Sequence, residues 1–173
     1  MIRVLIIGNG NVASHLYARL RTIPSIHVMQ INSRKIKDVP NADVNILAVS
    51  DDAISEVSSK FKNGFLVHTS GAMHMNDLKN GGNKGVFYML QSFTKDKEID
   101  FSNVPFCLEA EQDEDLQVLI QLAEYMDGKI YLLDSDQRKA LHVAAVFANN
   151  FSNYMFTIAD SICKQNNIPF DIL

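Results

Sequence analysis

Long apolar runs, basic blocks and paired cysteines are all scarce in this chain of 173 residues, and each shortage removes a class of function. No apolar stretch approaches the roughly 20 residues that a membrane-spanning helix needs, and the N-terminus enters a strand pattern with no cleavable signal pattern before it. The net charge is -4 and no lysine or arginine block offers a phosphate-neutralising stripe, so nucleic acid is not an expected partner. The two cysteines, Cys107 and Cys163, lie far apart in apolar surroundings and read as reduced, buried thiols of a cytoplasmic protein. The histidines at 15, 27, 68, 74 and 142 show no paired helical spacing and the cysteines form no close pair, so no metal site is expected. Ser70 lacks the glycine two positions earlier that a serine-hydrolase elbow requires.

What is present begins at once. An apolar run from Ile2 to Ile7 leads into Gly8-Asn9-Gly10-Asn11-Val12-Ala13, and an amphipathic segment follows from Asn11 to Arg21. This is strand, glycine turn, helix. Gly8 permits the tight turn, Gly10 lets the backbone approach a pyrophosphate without a Cβ in the way, and Ala13 is small enough for close packing of helix on strand. The N–H groups at the helix start and the positive end of its dipole then suit phosphate, which makes Gly8, Asn9, Gly10, Asn11 and Val12 the expected dinucleotide cradle.

Apolar content of 47% and a mean hydropathy of -0.03 are enough for a substantial core. Further strands are expected at Ile26 to Ile31, Val44 to Val49, Phe65 to Val67, Gly85 to Leu90, Pro105 to Ala110 and Lys129 to Leu133. Asp51 and Asp52 are expected to cap a short helix through Ile54 and Val57, and a second helix from Asp113 to Met126 has an acidic first turn and ends at Gly128. Strands alternating with helices predict an α/β fold with a doubly wound, mostly parallel sheet. From Gln137 to about Asn166 there is neither glycine nor proline, and Asp134, Ser135 and Asp136 offer caps. The reading is one long helix, well beyond the usual 11 to 12 or so residues. It sets a domain boundary near Asp134: residues 1–134 bind the dinucleotide, and residues 135–173 begin an all-helical domain.

On a wheel of about 100° per residue, Leu141, Ala144, Ala148, Phe151, Met155, Ile158 and Ile162 share one face of that helix. Arg138, His142, Ala145, Asn149, Ser152 and Asn153 line the other. A solvated stripe on an amphipathic helix accounts for the polar face as well as a functional one does.

In a doubly wound sheet the cofactor lies across the carboxyl ends of the strands. About 20 residues beyond the glycine turn, a free ribose 2′-hydroxyl usually meets Asp or Glu. Asn32-Ser33-Arg34-Lys35 stands there instead. No carboxylate in that segment would repel a phosphate, Ser33 can donate to one and Arg34 can pair with it, so Asn32, Ser33 and Arg34 predict NADP(H) over NAD(H). After the third strand, Val49 and Ser50 are expected beside the ribose and nicotinamide. His68-Thr69-Ser70-Gly71-Ala72 follows the fourth, with the Ser70 and Thr69 hydroxyls near where a substrate carbonyl would sit. His68 reads first as a strand histidine satisfied by its neighbours.

The glycine turn, His68 to Ala72, the stretch Gly85 to Phe93 and above all Arg138-Lys139-Ala140-Leu141-His142-Val143-Ala144-Ala145-Val146-Phe147-Ala148-Asn149-Asn150-Phe151 occur in the order of a known family. Nearly the whole chain resembles the bacterial Rossmann-like proteins that carry a C-terminal helical domain of unassigned function and are grouped with NADP oxidoreductases. Their N-terminal domain is similar to that of deazaflavin-dependent NADP oxidoreductases and pyrroline-5-carboxylate reductase, and their plan to the 6-phosphogluconate dehydrogenase superfamily. The resemblance implies a Rossmann domain facing a helical domain that supplies substrate contacts and a homodimer interface. It makes His142 the candidate proton donor and Asn149 the candidate substrate-orienting amide, with Ser70 opposite. Related enzymes often carry a catalytic lysine on this helix, whereas Lys139 lies off the polar line; the usual proline before Leu90 is Met89. Members of the group continue for roughly another hundred residues, so the helical domain reads as truncated at Leu173.

Two functions follow. One is an NADP(H)-dependent oxidoreductase that passes hydride to or from a small carbonyl or imine in the interdomain cleft. The other is a non-catalytic NADP(H)-binding module or sensor acting through a helical dimer.

Overall fold

The computed structural model describes residues 1–36, 39–95 and 97–173. It divides into two compact units, residues 1–139 and 140–173.

The first unit is built on a seven-stranded sheet: β1 (Ile2–Ile7), β2 (Ile26–Ile31), β3 (Val44–Leu47), β4 (Leu66–His68), β5 (Lys84–Met89), β6 (Pro105–Ala110) and β7 (Lys129–Leu132), in the order β2-β1-β3-β4-β5-β6-β7. All neighbours run parallel except β5 and β6, which are antiparallel. The chain turns back from β1 to β2 on one side and crosses to β3 on the other, so a topological switch point lies between β1 and β3. This is the doubly wound, Rossmann-like α/β sheet expected. Four strands differ in extent: β3 stops at Leu47 rather than Val49, β4 is displaced by one residue to include His68, β5 by one residue to begin at Lys84, and β7 stops at Leu132 rather than Leu133.

Alternation along β1 divides the core. Val4 and Ile6 point to the face covered by α1 (Asn11–Leu20) and α3 (Asp113–Tyr125), where they join Leu16, Leu20, Phe87, Phe106, Leu119 and Leu122. Leu5 and Ile7 point to the other face, under Ile54, Val57, Phe61 and Leu78, where α2 (Ile54–Ser58) packs. Helix α1 buries Ala13, Leu16 and Leu20, one stripe at helical spacing.

Three local expectations are corrected. Asp51 and Asp52 do not cap α2; they form a 3-10 turn, Asp51–Ala53, whose preceding Ser50 makes no side-chain capping bond, and their acidity instead favours the positive helix start. Helix α3 is closed by Asp127, at φ 62, with its N–H on Glu124 O at 2.9 Å and the Gly128 N–H on Ala123 O at 3.1 Å. Gly128 is needed for another reason: a Cβ there would lie 2.1 Å from the Phe106 ring. The long helix begins at Ser135, because Asp134 and Gln137 form a reciprocal cap, the Gln137 N–H on Asp134 Oδ1 at 2.8 Å and the Asp134 N–H on Gln137 Oε1 at 3.1 Å.

The third correction extends along the helix. Helix α4 (Ser135–Ala145) passes into a six-residue π-helical segment, Val146–Phe151, before α5 (Ser152–Gln165). Five of the six, Val146, Phe147, Asn149, Asn150 and Phe151, are mediocre α-helix formers, so the tighter ladder is weakly favoured there. Phe147 and Phe151 stack across the segment with ring centroids 4.9 Å apart. The wider turn breaks the 100° spacing, so helical spacing no longer sets His142 and Asn149 on one line. In the second unit Phe147, Phe151, Tyr154, Met155, Phe156 and Ile162 are exposed. Among the described residues no helix is long and apolar enough to cross a membrane. Both cysteines are free and buried, and burial pushes the Cys107 thiol above its usual range.

Candidate functional site

Gly8 ends β1 at the switch point with φ +140, a region L side chains rarely adopt. Its N–H donates to Ile31 O at 3.0 Å and its carbonyl accepts from Gln30 Nε2 at 2.9 Å, which ties the turn to β2. On the other side the Ala48 N–H donates to Ile7 O at 2.9 Å, and a Cβ on Gly8 would lie 2.0 Å from Ala48 O. The glycine therefore lets the exits of β1 and β3 close on each other. Gly10 is different: a Cβ there meets no atom of the described residues within 4 Å. It stands at the start of α1, where no side chain caps the helix, so the orphan N–H groups of the first turn open outward.

They open onto a cavity of about 790 Å³. Gly8, Asn9, Gly10, Asn11 and Val12 line it, and so do Asn32, Ser33 and Arg34 beyond β2 and Val49 and Ser50 beyond β3. All ten expected cofactor residues are thus brought to one cavity. Asn32 shapes its part of the wall: its Oδ1 accepts the Arg34 N–H at 2.9 Å and starts the 3-10 turn Ser33–Lys35. Asn11 Nδ2 donates to Phe93 O at 2.9 Å, fixing the loop after β5 against the start of α1. The volume is that of a small-molecule or cofactor site, and the donor set (uncapped N–H groups, a hydroxyl, a guanidinium) suits a phosphorylated dinucleotide.

The loop after β4 contributes Thr69 to the cavity, whereas Ser70 is buried and is not among the lining residues. Ser70 Oγ accepts the N–H groups of Ala72 and Met73, both at 3.1 Å, and so holds its own turn. His68 is fully buried; its Nδ1 accepts the Ser70 N–H at 3.2 Å, and its Nε2 makes no hydrogen bond among the described residues. Burial, reinforced by the nearby Arg138 charge, pushes its pKa down to about 4, so the ring is neutral at pH 7. The structural reading of His68 is thus correct in place but only half satisfied in bonding. His142 is partly buried on α4; Asn149 is exposed within the π-helical segment, and its Oδ1 accepts Asn153 Nδ2 at 3.1 Å.

Two features escaped the sequence. Arg138, expected on a polar face, is fully buried and belongs with the sheet. Its Nη1 donates to Glu109 Oε2 at 2.5 Å, its Nη2 to Met73 O at 2.5 Å and Ser135 Oγ at 3.1 Å. Ser135 in turn donates to Glu109 at 2.7 Å and accepts the Met75 N–H at 2.9 Å. This cluster binds the first turn of α4 to β6 and to the loop that carries Thr69. The second feature is a carboxylate in the cavity wall: Glu56, paired at 3.2 Å with Lys60, which also lines the cavity. Among the described residues no group of His, Cys, Asp and Glu is placed to hold a metal ion.

The model of a domain of unknown function, DUF2520, matches residues 104–173. No curated protein matches the chain. Among solved structures, a candidate NADP oxidoreductase from Bacteroides fragilis is 30% identical, with a TM-score of 0.81 over 99% of this chain and 75% of that one. A semialdehyde dehydrogenase NAD-binding protein from Cupriavidus necator, solved with NAD and calcium, shares the fold at 15% identity and a TM-score of 0.72, over 99% of this chain and 78% of that one. A 1-pyrroline-5-carboxylate reductase from Streptococcus pyogenes does so at 12% identity and 0.70, over 98% and 73%. By the identity and coverage of the first of these, the chain belongs to the family of the Bacteroides fragilis protein, Rossmann-like proteins of NADP oxidoreductase type to which the DUF2520 domain belongs.

Proposed function

We propose that this protein is an oxidoreductase that binds NADP(H) and transfers hydride to or from a small carbonyl or imine. The observation that carries the reading is the single cavity onto which the uncapped start of α1, the glycine turn and Asn32 to Arg34 all open. The pyrophosphate would lie on the N–H groups beyond Gly10, and the 2′-phosphate on Ser33 and Arg34. Bound NADPH would supply the hydride. The chain's own part is to hold the cofactor along the switch point, with Thr69 beside it, and to deliver a proton to the developing alkoxide or amine. We assign that proton to His142, substrate orientation to Asn149, and support of the intervening loop to Ser70, whose oxygen fixes the turn after Thr69.

The exposed aromatic and aliphatic side chains of the second unit support a homodimer formed through the helical segment. The two buried, unpaired thiols fit a reducing, cytoplasmic setting.

The experiment is to bind NADPH and follow its oxidation with a panel of keto acids, cyclic imines and deazaflavins. Oxidation by at least one class is the expected result. Tight binding with no oxidation by any of them would contradict the enzymatic reading and leave a nucleotide sensor.

A further inference from the structure

The cavity has a second charged wall that the glycine turn and the β2 loop do not explain. Ala53, Glu56, Val57 and Lys60 all line it. Their spacing is i, i+3, i+4 and i+7, along the 3-10 turn Asp51–Ala53, α2 and the turn that follows it. Ala53 and Val57 make that face apolar at its middle, which suits a flat base. Glu56 and Lys60 add a carboxylate and an ammonium in contact with each other at 3.2 Å. Ser33 and Arg34 line the same cavity from the end of β2.

An unpaired carboxylate in such a wall would favour a free ribose 2′-hydroxyl and repel a 2′-phosphate. Lys60 cancels that preference. The pair is solvent-exposed, with side-chain exposures of 41% for Lys60 and 78% for Glu56, and an i,i+4 pair of this kind is held only weakly. The ammonium is therefore free to turn from Glu56 to a doubly charged phosphate monoester at little cost.

We infer that Lys60 is a specificity-determining residue that reads a ribose 2′-phosphate from the α2 side of the cavity, in addition to Ser33 and Arg34, with Glu56 as its counter-ion otherwise. The inference rests on the proposed NADP(H) site and adds a second, independent reader to it. Arg34 alone would give a preference set by one loop; with Lys60, the phosphate is gripped from two elements of the fold. Glu56 then opposes phosphate binding, since it competes for Lys60 and faces the incoming charge.

The test is titration of NADPH and NADH into the full chain and its Lys60→Gln and Glu56→Gln variants at low ionic strength. Both side chains are exposed, Glu56 on α2 and Lys60 in the turn just after it, so both variants should fold as the parent does. Lys60→Gln should weaken NADPH by about tenfold and NADH by less than about twofold, as expected for loss of one charge-assisted contact to phosphate. Glu56→Gln should tighten NADPH by roughly two- to fivefold. An unchanged NADPH affinity in Lys60→Gln overturns the inference, as does an equal loss for both nucleotides, which would mean that Lys60 supports the adenosine and not the phosphate. If the parent chain itself binds neither nucleotide, or binds NADH better, the proposed NADP(H) site fails before Lys60 is in question.

Discussion

Replacing Arg138 by methionine removes a cation that is 1% exposed and leaves Glu109, 15% exposed, without its charged partner. Among the described residues Glu109 would keep only the Ser135 hydroxyl, at 2.7 Å, and the Met73 carbonyl would lose the Nη2 donor. Breaking one side of a buried pair typically costs about 3 to 5 kcal/mol, most of it the desolvation of the charge left behind. With a urea m-value of about 2 kcal/mol/M, the midpoint of the first unit's transition should fall by roughly 2 M. The double variant Arg138→Met/Glu109→Leu removes both charges and should recover a large part of that loss, since an apolar pair of similar volume is often no less stable. Urea unfolding of the parent, the single and the double variant makes the comparison. NMR titration of His68 adds a second readout. The Arg138 charge helps to lower the His68 pKa, so the pKa should rise in Arg138→Met. A destabilisation of the single variant below about 1 kcal/mol would refute the claim that this pair anchors the first turn of α4.

Three further outcomes follow from the same geometry. His68 has a folded pKa of about 4 against an ordinary 6.5, so as pH falls through that window the unfolded chain takes up a proton that the native chain refuses. Stability should fall by roughly 2 to 3 kcal/mol between pH 7 and pH 4.5, and His68→Gln should remove that part of the slope; identical pH profiles would count against it. Gly8→Ala places a Cβ 2.0 Å from Ala48 O at a φ of +140, and should cost more than about 2 kcal/mol and abolish NADPH binding, as read by melting and titration. In an active pairing of NADPH with a substrate, His142→Ala should lower kcat by about 10² to 10⁴-fold; turnover within a few-fold of the parent would remove His142 from the proton-donor role.

The glycine turn was legible because its constraint is local: one strand exit, one uncapped helix and two glycines adjacent in sequence. Strand positions were legible for the same reason, since continuous apolar runs in a parallel sheet need no knowledge of their neighbours. Arg138 was not, because its partner Glu109 is 29 residues away and a charged residue on the polar side of a helical wheel reads as solvated. Lys60 and Glu56 escaped for a similar reason: they reach the cavity through the packing of α2 beside β3. The π-helical segment carries no glycine or proline to announce it. Gly128 drew attention to the correct turn, but Asp127 takes the left-handed conformation while the glycine clears the Phe106 ring.

The central claim is that the cavity at the β1–β3 switch point holds a 2′-phosphorylated dinucleotide. Calorimetric titration of the full chain with NADPH and NADH tests it most directly. The account predicts binding of NADPH at least about tenfold tighter than NADH, a difference of about 1.4 kcal/mol, and a smaller preference on Arg34→Gln. Tighter binding of NADH, or no binding of either, would contradict it.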